Sequence, residues 1–223
     1  MIENAVIAAA GFGSRLGRGL PKCMVKVGDY LIIDYLVNVL KPYVKNIILV
    51  VGYRSELVVK YCEENFSNIK IVINHDYKST NTAYSYSLGS AQIKGKCLFL
   101  DGDLIISEQS MLQFLSKACE VDTLLGITKN ITQDPVYVKV ENNKIIEFMR
   151  GEKSEYEWAN IFCGDARLLD NAPNYVYEEL QYLENLYFTE IDLQEVDTEL
   201  DYLKAIDFIK RVKLNEITSK SFF

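Results

Sequence analysis

The sequence predicts an α/β fold: a Rossmann-like, mostly parallel mixed sheet flanked by helices, with a small β-rich lobe in its second half. Three observations predict it. Continuous apolar runs of strand length alternate with segments whose apolar residues recur at helical spacing, up to about residue 100. The first of those runs ends in a glycine loop, as strands do where open α/β sheets place ligands. Beyond residue 129 the texture shifts to short alternating segments separated by turn residues.

Each element follows from its local pattern. Residues 4–10 form an apolar strand that enters the glycine loop. Residues 46–51 (Asn-Ile-Ile-Leu-Val-Val) are apolar almost throughout, as a parallel strand covered on both faces requires, and 69–73 and 96–100 look similar. Residues 31–43, 55–66 and 81–93 show helical spacing between them. Strand, helix, strand, helix implies right-handed crossovers. In the second half, 136–140 partly alternates, Asn142-Asn143 reads as a turn, and 144–149 follows as its hairpin partner. Residues 158–163 read as a further strand, and 175–187 and 199–212 as helices. Thr198-Glu-Leu-Asp201 has the form of a capping box with aspartate in third place, which would start the last helix. Residues 104–128 receive no assignment. No repeat, low-complexity segment or linker interrupts the chain, so residues 1–223 read as one domain, with a first half to about 128 and, from about 129, a β-rich lobe with the C-terminal helices.

Composition bounds the function. A chain of 223 residues that is 49% hydrophobic suffices for a real core. A net charge of −7 and a pI near 4.9 exclude a protein that tracks nucleic-acid phosphates by its overall field. The five cysteines are scattered and never spaced as a metal pair, which fits reduced cytoplasmic thiols. No signal peptide and no run of membrane-spanning length is visible, so the expectation is a cytoplasmic protein without a membrane partner. His75 is the single histidine, which argues against a histidine triad or a zinc site.

The chemistry starts at Ala8-Ala9-Ala10-Gly11-Phe12-Gly13-Ser14-Arg15, followed by Pro21-Lys22. Backbone N–H groups in such a loop form an anion-binding concavity, and Arg15 and Lys22 add full positive charge. A Walker loop would need Gly-Lys-Ser/Thr, which is absent, and Gly11, Gly13 and Gly17 miss the dinucleotide spacing because Leu16 stands where glycine belongs. The pattern resembles the signature loop of the nucleotidyltransferases that activate sugar phosphates and small phosphorylated alcohols. A plain glycine turn with two solvated cations is the competing reading.

That resemblance implies a nucleotide-diphospho-sugar transferase fold and assigns roles to matching positions. Ala8, Ala10, Gly11, Gly13 and Ser14 would bind nucleotide, with Arg15 and Lys22 as the catalytic cations. In Leu98-Phe-Leu-Asp101-Gly102-Asp103 the aspartate after glycine, Asp103, would hold Mg²⁺; Asp101 would be a helper or simply a turn former. Glu195-Val-Asp197-Thr198 resembles the family's late metal segment and carries the second Mg²⁺ aspartate to Asp197, although helix capping alone would also explain it. Two carboxylates and substrate phosphates suit Mg²⁺.

Asn81-Thr82-Ala83 looks like the branch that makes CDP-linked small alcohols, such as the phosphocholine cytidylyltransferases of bacterial surface decoration. Asn81 and Thr82 would contact base or ribose, or only cap a helix. On the acceptor side, Lys153 resembles a phosphate-binding lysine, and Trp158, Tyr187, Glu190 and Asp192 could build an aromatic and acidic cage for an ammonium group. Each is equally readable as ordinary surface or core. The implied partners are CTP and a small phosphorylated acceptor. The hexose-1-phosphate nucleotidyltransferases, the cytidylyltransferases of isoprenoid precursor synthesis and a non-catalytic nucleotide-binding regulatory module stand as alternatives. Oligomeric state, a homo-oligomer included, stays open.

Overall fold

The computed structural model describes residues 2–129 and 132–220, without the side chains of Ser14 and residues 214–220. Strand β1 (Asn4–Ala9) runs into the glycine loop, which carries short 3₁₀ turns at Ser14–Leu16 and Lys22–Met24. A small ribbon, β2 (Lys26–Val27) and β3 (Tyr30–Leu31), leads to helix α1 (Ile32–Leu40). The parallel half continues with β4 (Asn46–Val51), α2 (Ser55–Asn65), β5 (Ile69–Ile73), α3 (Thr82–Ser90) and β6 (Lys96–Asp101). Next come β7 (Leu104–Ile106), α4 (Glu108–Ala118) and β8 (Leu124–Lys129), where the sequence offered no assignment. The hairpin β9 (Tyr137–Glu141) and β10 (Lys144–Met149) turns through Asn142 and Asn143, both in left-handed backbone. Strand β11 (Tyr156–Asp165) and short helix α5 (Val176–Leu180) precede β12 (Tyr187–Glu190), β13 (Leu193–Glu195) and the last helix, α6 (Glu199–Lys220).

One sheet carries most of these strands in the order β5-β4-β1-β6-β11-β8-β12-β10-β9. Its first four strands are parallel, as the apolar runs required. From β11 onward it is mixed: β11 runs antiparallel to β6 and β8, and β12 runs parallel to β8. The strands of the second half therefore extend the first sheet.

Period-two alternation sorts the core onto two faces. Ile7, Leu49, Leu98 and Leu100 pack under α1 and α4 with Leu36 and Phe114, whereas Val6, Val50 and Phe99 face α3 with Tyr86. Phe99 and Phe162, opposite each other in register, stack at 4.6 Å. Cys23, Cys62, Cys97 and Cys163 are buried and reduced, and Cys119 is exposed. No described helix is long and apolar enough to cross a membrane.

The predicted helix over 175–187 is shorter than its apolar spacing suggested. Only Val176–Leu180 is helical, because Asn185 adopts φ +59° and the chain turns to supply β12, which fills the place between β8 and β10. A strand in that place satisfies backbone groups of β8, and the Leu186 carbonyl accepts the Ile145 N–H at 2.8 Å.

Candidate active site

The cleft lies at the carboxyl ends of β1 and β6 and encloses about 470 Å³. Two glycines shape its floor. Gly13 has φ +60°, and a Cβ there would come within 2.7 Å of Lys22 Cγ, so only glycine lets the lysine stem lie against the loop. Gly102 donates its N–H to the Ala8 carbonyl at 2.8 Å, and a Cβ on it would come within 2.6 Å of Ala9 Cβ. That close approach brings Asp103 beside the loop.

Asp197 returns to the same point by strand pairing. β13 runs antiparallel to β7, with Glu195 opposite Leu104, and Val196 donates its N–H to the Asp103 carbonyl at 2.9 Å. The predicted capping box forms immediately after: Thr198 N–H donates to Asp201 Oδ2 at 3.1 Å, and Asp201 N–H to Thr198 Oγ1 at 3.2 Å. Thr198 and Asp201 thus do the capping, which leaves the Asp197 carboxylate for the cleft.

Cations and carboxylates interlock there. The Lys22 ammonium donates to Asp103 Oδ2 at 2.7 Å and also to Asp197. Arg15 Nη1 lies 2.7 Å from Asp197 Oδ2, while its side chain is 60% exposed and open to a ligand. Asp103, Glu195 and Asp197 each present an oxygen within 4.8 Å of the others. Asp103 Oδ1 is buried with no hydrogen-bond partner among the described residues. A buried carboxylate oxygen without a donor, in a cluster of three carboxylates, fits a hard divalent cation such as Mg²⁺.

Electrostatics follow from this crowding. Burial, then the charges of Asp103, Asp101 and Asp197, push the Glu195 carboxyl up to about 9 against the opposing pull of Lys22. Asp101 is pushed up to about 7 by burial and the Asp103 charge, although the Tyr86 hydroxyl donates to its Oδ1 at 2.6 Å. Burial works against the Lys22 charge, but Asp103 and Asp197 outweigh it and hold its ammonium above the ordinary lysine range.

Ala8, Ala10, Gly11, Gly13, Asn81 and Thr82 all line the cleft with Arg15 and Lys22. Asn81 caps α3, accepting from Tyr84 N–H at 3.1 Å, and donates through Nδ2 to the Asn174 carbonyl at 2.8 Å. The Ser14 side chain lies outside the described residues.

The acceptor-side expectations divide. Trp158 lines the cleft, but Lys153 is exposed and outside it. The cage does not assemble, because each other member is engaged elsewhere. Tyr187 lies under the Lys144 ammonium at 5.5 Å, Glu190 accepts from the Tyr156 hydroxyl at 2.9 Å, and Asp192 holds Arg211 by two bonds of 2.8 and 2.7 Å. Glu190 and Asp192 line a separate hollow with Phe208 and Arg211. The cation that faces the cleft at this end is Arg150, paired with Asp134 at 2.8 Å and lying over the Tyr177 ring at 5.5 Å, with Tyr175 stacked on Tyr177.

Glu195, Asn160, Arg150, Tyr175 and Tyr177 are cleft residues that the sequence reading did not assign. Glu195 had a legible signal, since alternation in a strand puts it on the same side as Asp197.

A model described as "MobA-like NTP transferase domain" matches residues 5–160. Among curated proteins, a "Bifunctional protein GlmU" of Methanococcus aeolicus is 29% identical over 95% of this chain and 49% of its own length. The "CTP:phosphoglutamine cytidylyltransferase" of Campylobacter jejuni is 37% identical over 50% of this chain and 45% of its own. The chain spans about half the length of the curated relatives it matches. Among solved structures, the inositol-1-phosphate CTP transferase of T. maritima has a TM-score of 0.78 at 20% identity, over 95% of this chain and 96% of its own. The CTP:phosphocholine cytidylyltransferase of Streptococcus pneumoniae has 0.76 at 19%, over 94% and 100%. These likenesses place the sheet and helices in the nucleotide-diphospho-sugar transferase fold.

Proposed function

From the premise that the chain belongs to the MobA-like NTP transferase domain family, a family of nucleotidyltransferase domains, we propose that it is a Mg²⁺-dependent cytidylyltransferase. It transfers CMP from CTP to a small phosphorylated alcohol and releases pyrophosphate. One observation carries this reading: Arg15, Lys22, Asp103, Glu195 and Asp197 converge beside the glycine loop in a single cleft.

The chemistry asks little proton transfer of the protein. An oxygen of the acceptor's phosphate attacks the α-phosphorus and forms the new P–O bond. The bond from the α-phosphorus to the bridging oxygen breaks, and its electron pair leaves on pyrophosphate. The attacking phosphate is already ionised at neutral pH, so no general base is required; His75 is exposed and outside the cleft. Lys22 and Arg15 place positive charge on the triphosphate oxygens, and loop N–H groups hold them. Asp103 and Asp197, with Glu195 beside them, would hold Mg²⁺, which when bound neutralises phosphate charge. The walls orient the two substrates for in-line attack.

Support for CTP comes from the Asn81-Thr82-Ala83 resemblance and from the close approach of the β1 backbone to the cleft, which suits a pyrimidine. For the acceptor, Arg150 is the cation suited to its phosphate, in place of Lys153. Trp158, Tyr175 and Tyr177 supply an aromatic wall on which the ammonium of an amino alcohol phosphate, such as phosphocholine, would lie. The CDP-linked product then serves surface polysaccharide decoration, and the reaction is cytoplasmic, where CTP is available.

The test is a pyrophosphate-release screen that crosses the four nucleoside triphosphates with phosphocholine, phosphoethanolamine, glycerol phosphate and several sugar 1-phosphates. The expected outcome is Mg²⁺-dependent release with CTP and an amino alcohol phosphate. Release only with a sugar 1-phosphate overturns the acceptor assignment, and no release with any pair overturns the reaction.

A further inference from the structure

Strand β11 breaks its own pairing at the cleft wall. Against β8, Trp158 stands opposite Ile127 and Phe162 opposite Leu125, so β11 spends more residues than its partner between those two points. The surplus is a bulge, and Asn160 in it adopts φ +53°. Left-handed backbone costs a residue with a Cβ, with asparagine among the few that tolerate it. Two features accommodate the bulge. The Trp158 indole N–H donates to the Ile161 carbonyl at 3.3 Å, and a Cβ on Gly126 of the facing strand would come within 2.4 Å of Ile161 Cγ2. A glycine across from it makes this a built feature of the strand.

The bulge turns the Asn160 side chain into the cleft, where Nδ2 donates to Glu195 Oε2 at 3.3 Å. Glu195 is the carboxylate of the cluster that enters on β13, from a different part of the chain than Asp103. We infer that Asn160 is a positioning residue: its amide fixes the Glu195 carboxylate so that it stays gathered with Asp103 and Asp197, and the strained bulge exists to deliver that amide. Strain held at a cleft by supporting contacts is the pattern expected of such a device. A partner that orients a metal-facing carboxylate typically changes metal affinity about 10–100-fold when it is removed.

This inference rests on the proposed function for the metal, and Mn²⁺ binding in the presence of a non-reactive CTP analogue separates the two. Three variants divide backbone from side chain. Asn160→Gly keeps the left-handed backbone without strain and removes the amide. Asn160→Asp keeps shape but places a carboxylate against Glu195. Asn160→Ala removes the amide and also strains the backbone. The expected result is a loss of Mn²⁺ affinity of about tenfold or more in all three, with thermal unfolding preserved in Asn160→Gly and lowered in Asn160→Ala. Wild-type Mn²⁺ affinity in Asn160→Gly overturns the inference. So does a rise in acceptor KM with Mn²⁺ binding unchanged, which would make Asn160 an acceptor contact. Wild-type protein that binds Mn²⁺ and nucleotide but forms no product overturns the proposed reaction and leaves Asn160 in its role; wild-type protein that binds no Mn²⁺ overturns both.

Discussion

Asp197 shares the ammonium of Lys22 with Asp103, and three antiparallel residue pairings, β13 on β7, bring the late segment back to the end of β6. The position of Asp197 is therefore a consequence of sheet pairing and does not depend on the helix that follows. Asp103→Asn or Asp197→Asn keeps the shape and removes one negative ligand. Turnover should fall steeply in both, about a hundredfold or more by analogy with other single electrostatic contacts, and raising CTP should not restore it. Near-normal turnover in Asp197→Asn would return that residue to a structural role.

The two cations differ in surroundings, which separates their expected phenotypes. Lys22 is largely buried between carboxylates, whereas Arg15 is mostly exposed. Each alanine variant should lower kcat/KM by about a hundredfold, the cost of one charge-assisted contact to a developing anion. Lys22→Ala also leaves Asp103 without its counter-ion and Asp197 with Arg15 alone, so its thermal stability should drop while that of Arg15→Ala stays close to wild type. Unchanged kcat/KM in either variant would reduce that residue to a solvated cation.

At the acceptor end, Arg150→Ala should raise the KM for the phosphorylated acceptor by about tenfold or more, since an ionic hydrogen bond contributes roughly 1.5–3 kcal/mol. Lys153→Ala should change nothing. Trp158→Ala should raise the acceptor KM about tenfold if the acceptor carries an ammonium group, because a desolvated cation–π contact contributes up to about 2 kcal/mol. Steady-state kinetics at saturating CTP reads all three, and a Lys153→Ala effect equal to that of Arg150→Ala would refute the assignment.

The parallel half was legible because its strands are buried on both faces and their apolar runs have no competing period. The predicted bounds of β4, β5 and β10 match the observed ones residue for residue. Asp103 and Asp197 were legible through motif order, and Thr198-Asp201 through its capping spacing. What was missed depends on partners distant in sequence. β12 reads as the continuation of a helix until the place between β8 and β10 is known. Lys153 and Arg150 are three positions apart just after β10, and nothing in the local sequence tells which of them lines the cleft; Arg150 does. Glu190 and Asp192 looked like acceptor carboxylates, but Tyr156 and Arg211, on other elements, engage them. Asn160 carried no pattern, because its left-handed backbone comes from the mismatch of β11 with β8.

The base preference offers a separate check. On the proposed reading, CTP should be preferred over ATP and GTP by kcat/KM, because the backbone of Ala8, Ala9 and Ala10 lines the cleft and suits the smaller pyrimidine base. Equal turnover with a purine triphosphate would refute the cytidylyl assignment without touching the metal site.

The pair Tyr86 and Asp101 predicts a pH dependence of stability. Tyr86 is fully buried on α3, and its hydroxyl donates to Asp101 Oδ1 at 2.6 Å. Burial first, and the Asp103 charge second, push the Asp101 carboxyl up to about 7. In the unfolded chain an aspartate titrates near 4 (about 3.9). Between those two values the unfolded chain has released the proton and the folded protein retains it, so rising pH favours unfolding across that window. Above about 7 both states are ionised and the contribution of Asp101 is constant. Asp101→Asn preserves the Tyr86 bond, because the amide oxygen accepts it, and removes the titration. With a chelator present, the wild-type urea midpoint should therefore lose ground to Asp101→Asn steadily between about pH 4 and pH 7 and hold a fixed gap above that. Parallel midpoint curves across the window would mean that Asp101 ionises in the fold as it does in the unfolded chain.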